Sequence, residues 1–193
     1  MPILVPPVLP AGALARLPQP VIPAADGLLL RPWRKEDAPG VHAAFQDPAQ
    51  RQWHGRFSES VDEVEGWIER WLDDWTEESR ASWAVAEADT GEVVGRVALR
   101  EIHLEDGCAE VAYWTVARSR GRGVAVTATG ALTRWAFEDI GFHRLELTHS
   151  TANEASCRVA AKAGYDLEGT RRSYVLHQDG WHDMHLHARV NER

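Results

Sequence analysis

The chain has 193 residues, 44% of them hydrophobic and 26% charged, a length and composition suited to one globular domain with a substantial core. A net charge of -8 and a pI near 5.6 argue against nucleic acid as the main partner and are compatible with an amine-bearing one. Two cysteines, Cys108 and Cys157, supply neither a disulfide framework nor a metal-ligand spacing, so the expected compartment is the reducing cytoplasm.

Residues 1–26 hold seven of the ten prolines and almost no charge, and read as an arm preceding a domain at 27–193. The arm lacks the basic start of a signal peptide, and its prolines would break a membrane helix. It is expected either to be loosely ordered or, through Ile3, Leu4, Val5 and Val21, to rest on the domain or on a second subunit of a homodimer. GLLLRPW, from Gly27, reads as a short strand that Pro32 confines to an edge or an end. KEDAPGVHAAFQ suggests a first helix, and DPAQRQWHGRF a loop. Ser60 and Glu63 then form a capping-box signature ahead of Val64, Trp67, Ile68, Trp71, Leu72 and Trp75, which share one helical face. The tryptophans on that face are expected in the core.

SWAVAEA and EVVGRVALREIH resemble two strands joined by a tight turn, and GCAEVAYWTVA a third. RSRGRG, residues 118–123, follows directly and opens a helical pattern, VAVTATGALTRWAFEDI. HRLELTHST reads as a strand, NEASCRVAAKAG as a helix stopped by Gly164, and YDLEGTRRSYVL and DMHLHARV as closing strands. His185 and His187 share a face of the last strand with Asp183 alongside. Their alternation with Met184, Leu186, Ala188 and Val190 is that of an amphipathic strand, and no metal is expected.

Where a strand passes through a glycine turn into a helix, the first helical N–H groups lack intrahelical partners and can hold an anion together. Gly121 and Gly123 permit close approach, and Arg118, Arg120 and Arg122 could add charged hydrogen bonds. On residue chemistry alone the stretch is a phosphate cradle or a solvated turn. No Gly-Lys-Ser/Thr follows to complete a nucleoside-triphosphate loop.

Arg118-Ser119-Arg120-Gly121-Arg122-Gly123 matches the Arg/Gln-x-x-Gly-x-Gly/Ala signature of acyl-CoA-dependent N-acyltransferases, and the chain resembles that GNAT superfamily over roughly residues 27 to 190. Asn153-Glu154-Ala155-Ser156, Lys162-Ala163-Gly164-Tyr165, Leu167-Glu168-Gly169 and Trp181-His182-Asp183 are similar to motifs of its RimJ/RimL-like branch. The resemblance implies an α/β (α+β) GNAT fold: a mixed, mostly antiparallel sheet of about seven strands with about four helices and a V-shaped splay between two central parallel strands.

The resemblance further implies that acetyl-CoA or another acyl-CoA lies along Tyr113, Thr115 and Val116. It would reach Arg118, Arg120, Gly121, Arg122, Gly123, Val124 and Ala125, with Asn153 and Ser156 beyond. Many GNAT enzymes carry a tyrosine where this chain has Ala160, which moves the role of acid toward the thiolate to Ser156 or water. Glu110 is the favoured base, with His149 and His177 in reserve. Trp53, His54, Arg56, Phe57, Trp114, Tyr174 and Trp181 are the candidate walls of the acceptor site. The implied activity is acetyl transfer to a primary amine by direct attack, the amine being a small molecule or a protein N-terminus. A larger acyl group such as succinyl, or a catalytically silent CoA-binding module, are the alternatives; nucleic-acid and membrane partners are not expected.

Overall fold

The computed structural model describes residues 4–192, so Ile3 of the arm lies outside the described residues. A single sheet of eight strands runs in the order β1-β2-β3-β4-β5-β6-β8-β7. The strands are β1 (Ile22–Pro23), β2 (Leu28–Arg31), β3 (Ala81–Glu87), β4 (Val93–His103), β5 (Cys108–Thr115), β6 (Arg144–Ser150), β7 (Asp166–His177) and β8 (Gly180–Val190). Every neighbouring pair is antiparallel except the central β5–β6. Five α-helices accompany the sheet: α1 (Ala38–Phe45), α2 (Pro48–His54), α3 (Val61–Thr76), α4 (Val124–Trp135) and α5 (Glu154–Lys162).

Local chemistry accounts for the helix starts. Ser60 caps α3 by accepting the Glu63 N–H at 3.1 Å, while the Glu63 carboxylate reaches back to the Glu59 N–H, one residue earlier than a standard capping box requires. The stretch expected to be a loop contains α2. Its start combines an Asp47 side chain accepting the Ala49 N–H with a proline at the first helical position, both favourable helix beginnings. Beside α1, Asp37 takes two 2.7 Å bonds from the buried Arg31 guanidinium and a third from the Arg34 N–H, tying the end of β2 to the helix entrance.

Aromatic side chains fill the centre. Trp75 of α3, Trp83 of β3 and Trp135 of α4 are buried, and each lies within 6.2 Å of the other two by ring centroid. Trp67 and Trp71 lie against the same core, so the α3 tryptophans are structural.

The proline-rich arm rests on the domain. Val8 and Leu9 donate N–H bonds to the carbonyls of Glu105 and Leu104, and Leu9 and Leu14 are buried. Glu78 accepts the N–H groups of Gly12 and Leu14. Two core indoles end on arm carbonyls: Trp75 Nε1 on Leu17 at 3.0 Å and Trp83 Nε1 on Pro20 at 2.9 Å. The arm's last residues form β1. Buried indole N–H groups require acceptors, and an arm poor in hydrogen-bond donors offers its free carbonyls.

Candidate active site

β5 and β6 pair only over Cys108–Glu110 and Arg144–Glu146. Beyond Glu110 the two strands part, leaving Val111–Thr115 without a strand partner on that side among the described residues while β4 still pairs along the other. A cleft of about 400 Å³ opens where they diverge, walled by β5, α2, the start of α4 and one face of α5.

The turn into α4 forms one end of the cleft. Gly121 and Gly123 hold φ of +75° and +82°, conformations that L side chains rarely adopt, and a Cβ on either would meet nothing within 4 Å. The glycines are therefore required by the backbone, and the space beside them is free. Among the described residues no side chain caps α4, whose first helical bond is Thr127 N–H to Gly123 O at 3.0 Å. The N–H groups of Val124, Ala125 and Val126 precede that bond, and all three residues line the cleft. Ser119 Oγ and Trp114 Nε1, also in the lining, are buried without a partner among the described residues. Orphaned polar atoms and uncapped amides at the edge of a cavity suit a ligand with anionic and hydrogen-bonding groups.

The three turn arginines are already engaged. Arg120 pairs with Asp47 at 2.5 Å, Arg122 with Glu87 at 3.2 Å, and Arg118 with Glu92. Arg120 lines the cleft; Arg118 and Arg122 do not.

α5 contributes Asn153 and Ser156. The Asn153 side chain caps the helix by accepting the Ser156 N–H at 3.1 Å, and both residues line the cleft. The Ser156 carbonyl accepts the Tyr113 hydroxyl at 3.5 Å. Burial pushes the Tyr113 phenol up to about 12, so it stays protonated at neutral pH. On the opposite wall, Gln50 Nε2 donates to the Thr115 carbonyl at 3.3 Å, and Trp53 and His54 complete the lining from α2. Burial, with Arg96 and Arg100 adding like-charge repulsion, lowers the His54 imidazole to about 4 and keeps it neutral.

Of the residues singled out from the sequence, the cleft gathers Trp53, His54, Tyr113, Trp114, Thr115, Arg120, Gly121, Gly123, Val124, Ala125, Asn153 and Ser156. Glu110 stands at the vertex of the splay, outside the lining, its carboxylate 2.7 Å from Arg100. Val116 is buried beneath the turn, while Phe57, Tyr174 and Trp181 are exposed and outside the cleft. His149 and His177 also lie outside it. Sequence reasoning missed Gln50, which sits on the unrecognised α2, and the stripe Ala155, Arg158, Val159 and Lys162. The stripe keeps the i, i+3, i+4, i+7 period counted from Ala155, the residue beside Ser156, and that period was the signal that could have found it.

Residues 27–166 match the acetyltransferase (GNAT) domain family. The chain belongs to the GNAT family. An uncharacterized N-acetyltransferase, YoaA of Bacillus subtilis, is 24% identical over 169 residues, covering 87% of this chain and 96% of that protein. A ribosomal-protein-serine acetyltransferase of Escherichia coli is 26% identical over 99 residues, 51% of this chain and 55% of that one. Among solved structures, RimL, a ribosomal L7/L12 α-N-protein acetyltransferase in complex with coenzyme A, superposes with a TM-score of 0.79 at 18% identity. That superposition covers 89% of this chain and 98% of RimL. The self-immunity acetyltransferase MccE, in complex with acetyl-CoA and AMP, gives 0.75 at 19% identity over 86% and 93%. These relatives support the RimJ/RimL-like branch, and the parallel pair that splays at the centre of an otherwise antiparallel sheet agrees with the fold expected of a GNAT enzyme. Ala160, where many GNAT enzymes carry tyrosine, is fully buried and outside the cleft lining.

Proposed function

We propose that the chain transfers an acetyl group from acetyl-CoA to a primary amine, by direct attack of the neutral amine on the thioester. The observation that carries this is the parting of β5 from β6 beside the uncapped start of α4. It leaves an unpaired strand segment next to an anion-binding helix terminus, with one cleft joining them. The amides of Val124–Val126 suit the pyrophosphate, and the free edge of Val111–Thr115 suits the amide-rich pantetheine arm. The relatives solved with coenzyme A and acetyl-CoA support the same ligand.

We assign Ser156 as the hydroxyl nearest the thiol, since it lines the cleft from the first turn of α5 and a serine hydroxyl can donate to a departing thiolate, with the protonated Tyr113 phenol holding the Ser156 carbonyl. His54 lines the cleft as a neutral imidazole, and with its conjugate acid lowered to about 4 it suits a hydrogen-bond acceptor that orients the amine rather than the group that carries the proton away. Glu110 is engaged by Arg100 and holds that guanidinium at the vertex. The exposed Phe57, Tyr174 and Trp181 suit the acceptor side, where a larger amine such as a protein N-terminus would reach beyond the cleft. The paired arginines and the acidic total favour no nucleic-acid partner.

Steady release of free CoA thiol from acetyl-CoA, dependent on added amine across a panel of small amines and peptide N-termini, is the expected outcome. Calorimetric CoA binding without release for any acceptor would establish the silent module instead. No heat with acetyl-CoA, succinyl-CoA or CoA would overturn the ligand itself.

A further inference from the structure

Four side chains outside the cleft converge beneath α5. His149 lies on β6 opposite His185 of β8, His187 lies one pleat along β8 opposite Leu147, and Cys157 comes from the first turns of α5. One donor atom from each of His149, Cys157, His185 and His187 lies within 4.8 Å of the others. The amphipathic-strand reading explains why two β8 histidines share a face. It does not explain why a third histidine and a thiol meet them from two other elements.

The hydrogen bonds fix the ring nitrogens. His149 Nδ1 is 2.8 Å from the Ser150 carbonyl, and His187 Nδ1 is 3.2 Å from the Tyr165 carbonyl. A carbonyl oxygen only accepts, so both Nδ1 atoms carry the proton, and in the neutral rings both Nε2 atoms present bare lone pairs. Those two Nε2 atoms face each other at 3.2 Å. Lone pairs at that distance need a cation between them or a proton on one ring. A proton would leave a charged imidazole at a site where both residues are about 95% buried or more, with no carboxylate against either ring among the described residues. His185 Nδ1, at the same cluster, is buried and has no protein partner among the described residues. Two imidazole nitrogens on a tetrahedral ion with bonds of about 2.0–2.1 Å stand about 3.3 Å apart, close to the spacing present.

We propose that His149, Cys157, His185 and His187 bind one zinc-type divalent ion as a closed, structural site that fastens α5 to β6 and β8. Three imidazoles and a thiolate, with no carboxylate, select a borderline ion of the zinc class over magnesium or calcium. The carbonyls behind His149 and His187 fix the rings, as the outer partners of metal-bound histidines do. Four protein ligands leave no open position for substrate, so the ion's role is mechanical. It would hold the helix whose first turn presents Asn153 and Ser156 to the cleft, while Cys157 itself stays outside the cleft lining. The site does not depend on the acetyl-transfer assignment.

Full-length protein stripped with a chelator and dialysed against zinc(II) should retain one equivalent by elemental analysis, and its melting temperature should rise on reloading. Cobalt(II) loading should give the intense visible bands of a tetrahedral site and a near-ultraviolet thiolate-to-cobalt charge-transfer band. Cys157→Ser should abolish the charge-transfer band and weaken zinc binding at least about tenfold. The double variant His177→Gln/His182→Gln, which alters a histidine pair elsewhere on the β7–β8 hairpin, should keep both metal and spectrum. Failure of the unmodified protein to retain zinc, or a cobalt spectrum without the thiolate band, overturns the proposal without requiring any variant to fold. So does loss of the metal in the His177/His182 variant with retention in Cys157→Ser.

Discussion

Gly95 of β4 pairs in register with Thr115, and a Cβ there would stand 2.5 Å from the Trp114 carbonyl oxygen and 3.4 Å from Thr115 Cα. Ordinary carbon–oxygen contacts begin near 3.3 Å, so Gly95→Ala requires β5 to yield by about 0.8 Å. Tyr113, Trp114 and Thr115 are the β5 residues that line the cleft, so the displacement falls on the segment where β5 has left β6. Misplacement on this scale costs on the order of 100-fold in rate when it shifts reacting groups, and overpacking costs about 1–3 kcal/mol of stability. The expected result is a kcat/KM for acetyl transfer down by about 30- to 100-fold. The melting temperature should fall by roughly 2–10 °C. CoA affinity by calorimetry should fall by less than the rate does, because the α4 amides stay in place and only the edge assigned to the pantetheine arm shifts. A Gly95→Ala enzyme with kcat/KM within about twofold of the parent, at an unchanged melting temperature, would refute the claim that the close β4–β5 approach sets the geometry of the cleft.

Gly123→Ala forces an L residue to φ +82°, at a cost of about 1–2 kcal/mol, and should weaken CoA binding by about tenfold in calorimetry with less effect on kcat. Ser156→Ala should lower kcat by roughly 10- to 100-fold with little change in CoA affinity, read by thiol release at saturating acetyl-CoA. His54 is held neutral in the fold below its ordinary value of 6.5, down to about 4, so the unfolded chain takes up that proton first as the pH falls between those values. Stability should therefore drop over that window by about 2–3 kcal/mol more in the parent than in His54→Gln, measured by urea titration at pH 7 and 4.5. Asp37→Ala leaves the buried Arg31 guanidinium unpaired and should cost about 3–5 kcal/mol, visible as a lowered urea midpoint.

The parts of this molecule that are local in the chain were legible in its sequence. The RSRGRG cradle is one such part, since its glycine conformations, its uncapped amides and the helix it opens all lie within nine residues of each other. The α3 stripe and the Asn153 cap are others. α2 escaped notice because it is seven residues long and buries only Gln50, leaving no apolar period to detect; Asp47-Pro48 was its one signature. The arm's role was hidden for a different reason, since what it gives the core is backbone carbonyls, which no side-chain pattern records. The position of Glu110 in an ion pair, and the meeting of His149 with His185, depend on strand register between segments about ten and thirty-six residues apart.

The two tryptophan N–H groups that end on Leu17 and Pro20 also bear on where this protein can safely be cut. A fragment trimmed to residues 27–166 would strand both indoles in the interior without those acceptors, uncover the seats of Leu9 and Leu14, and strip from the edge of β6 both β8 and all of β7 beyond Asp166. The contacts that hold this fold together reach well beyond the stretch by which its kinship is detected.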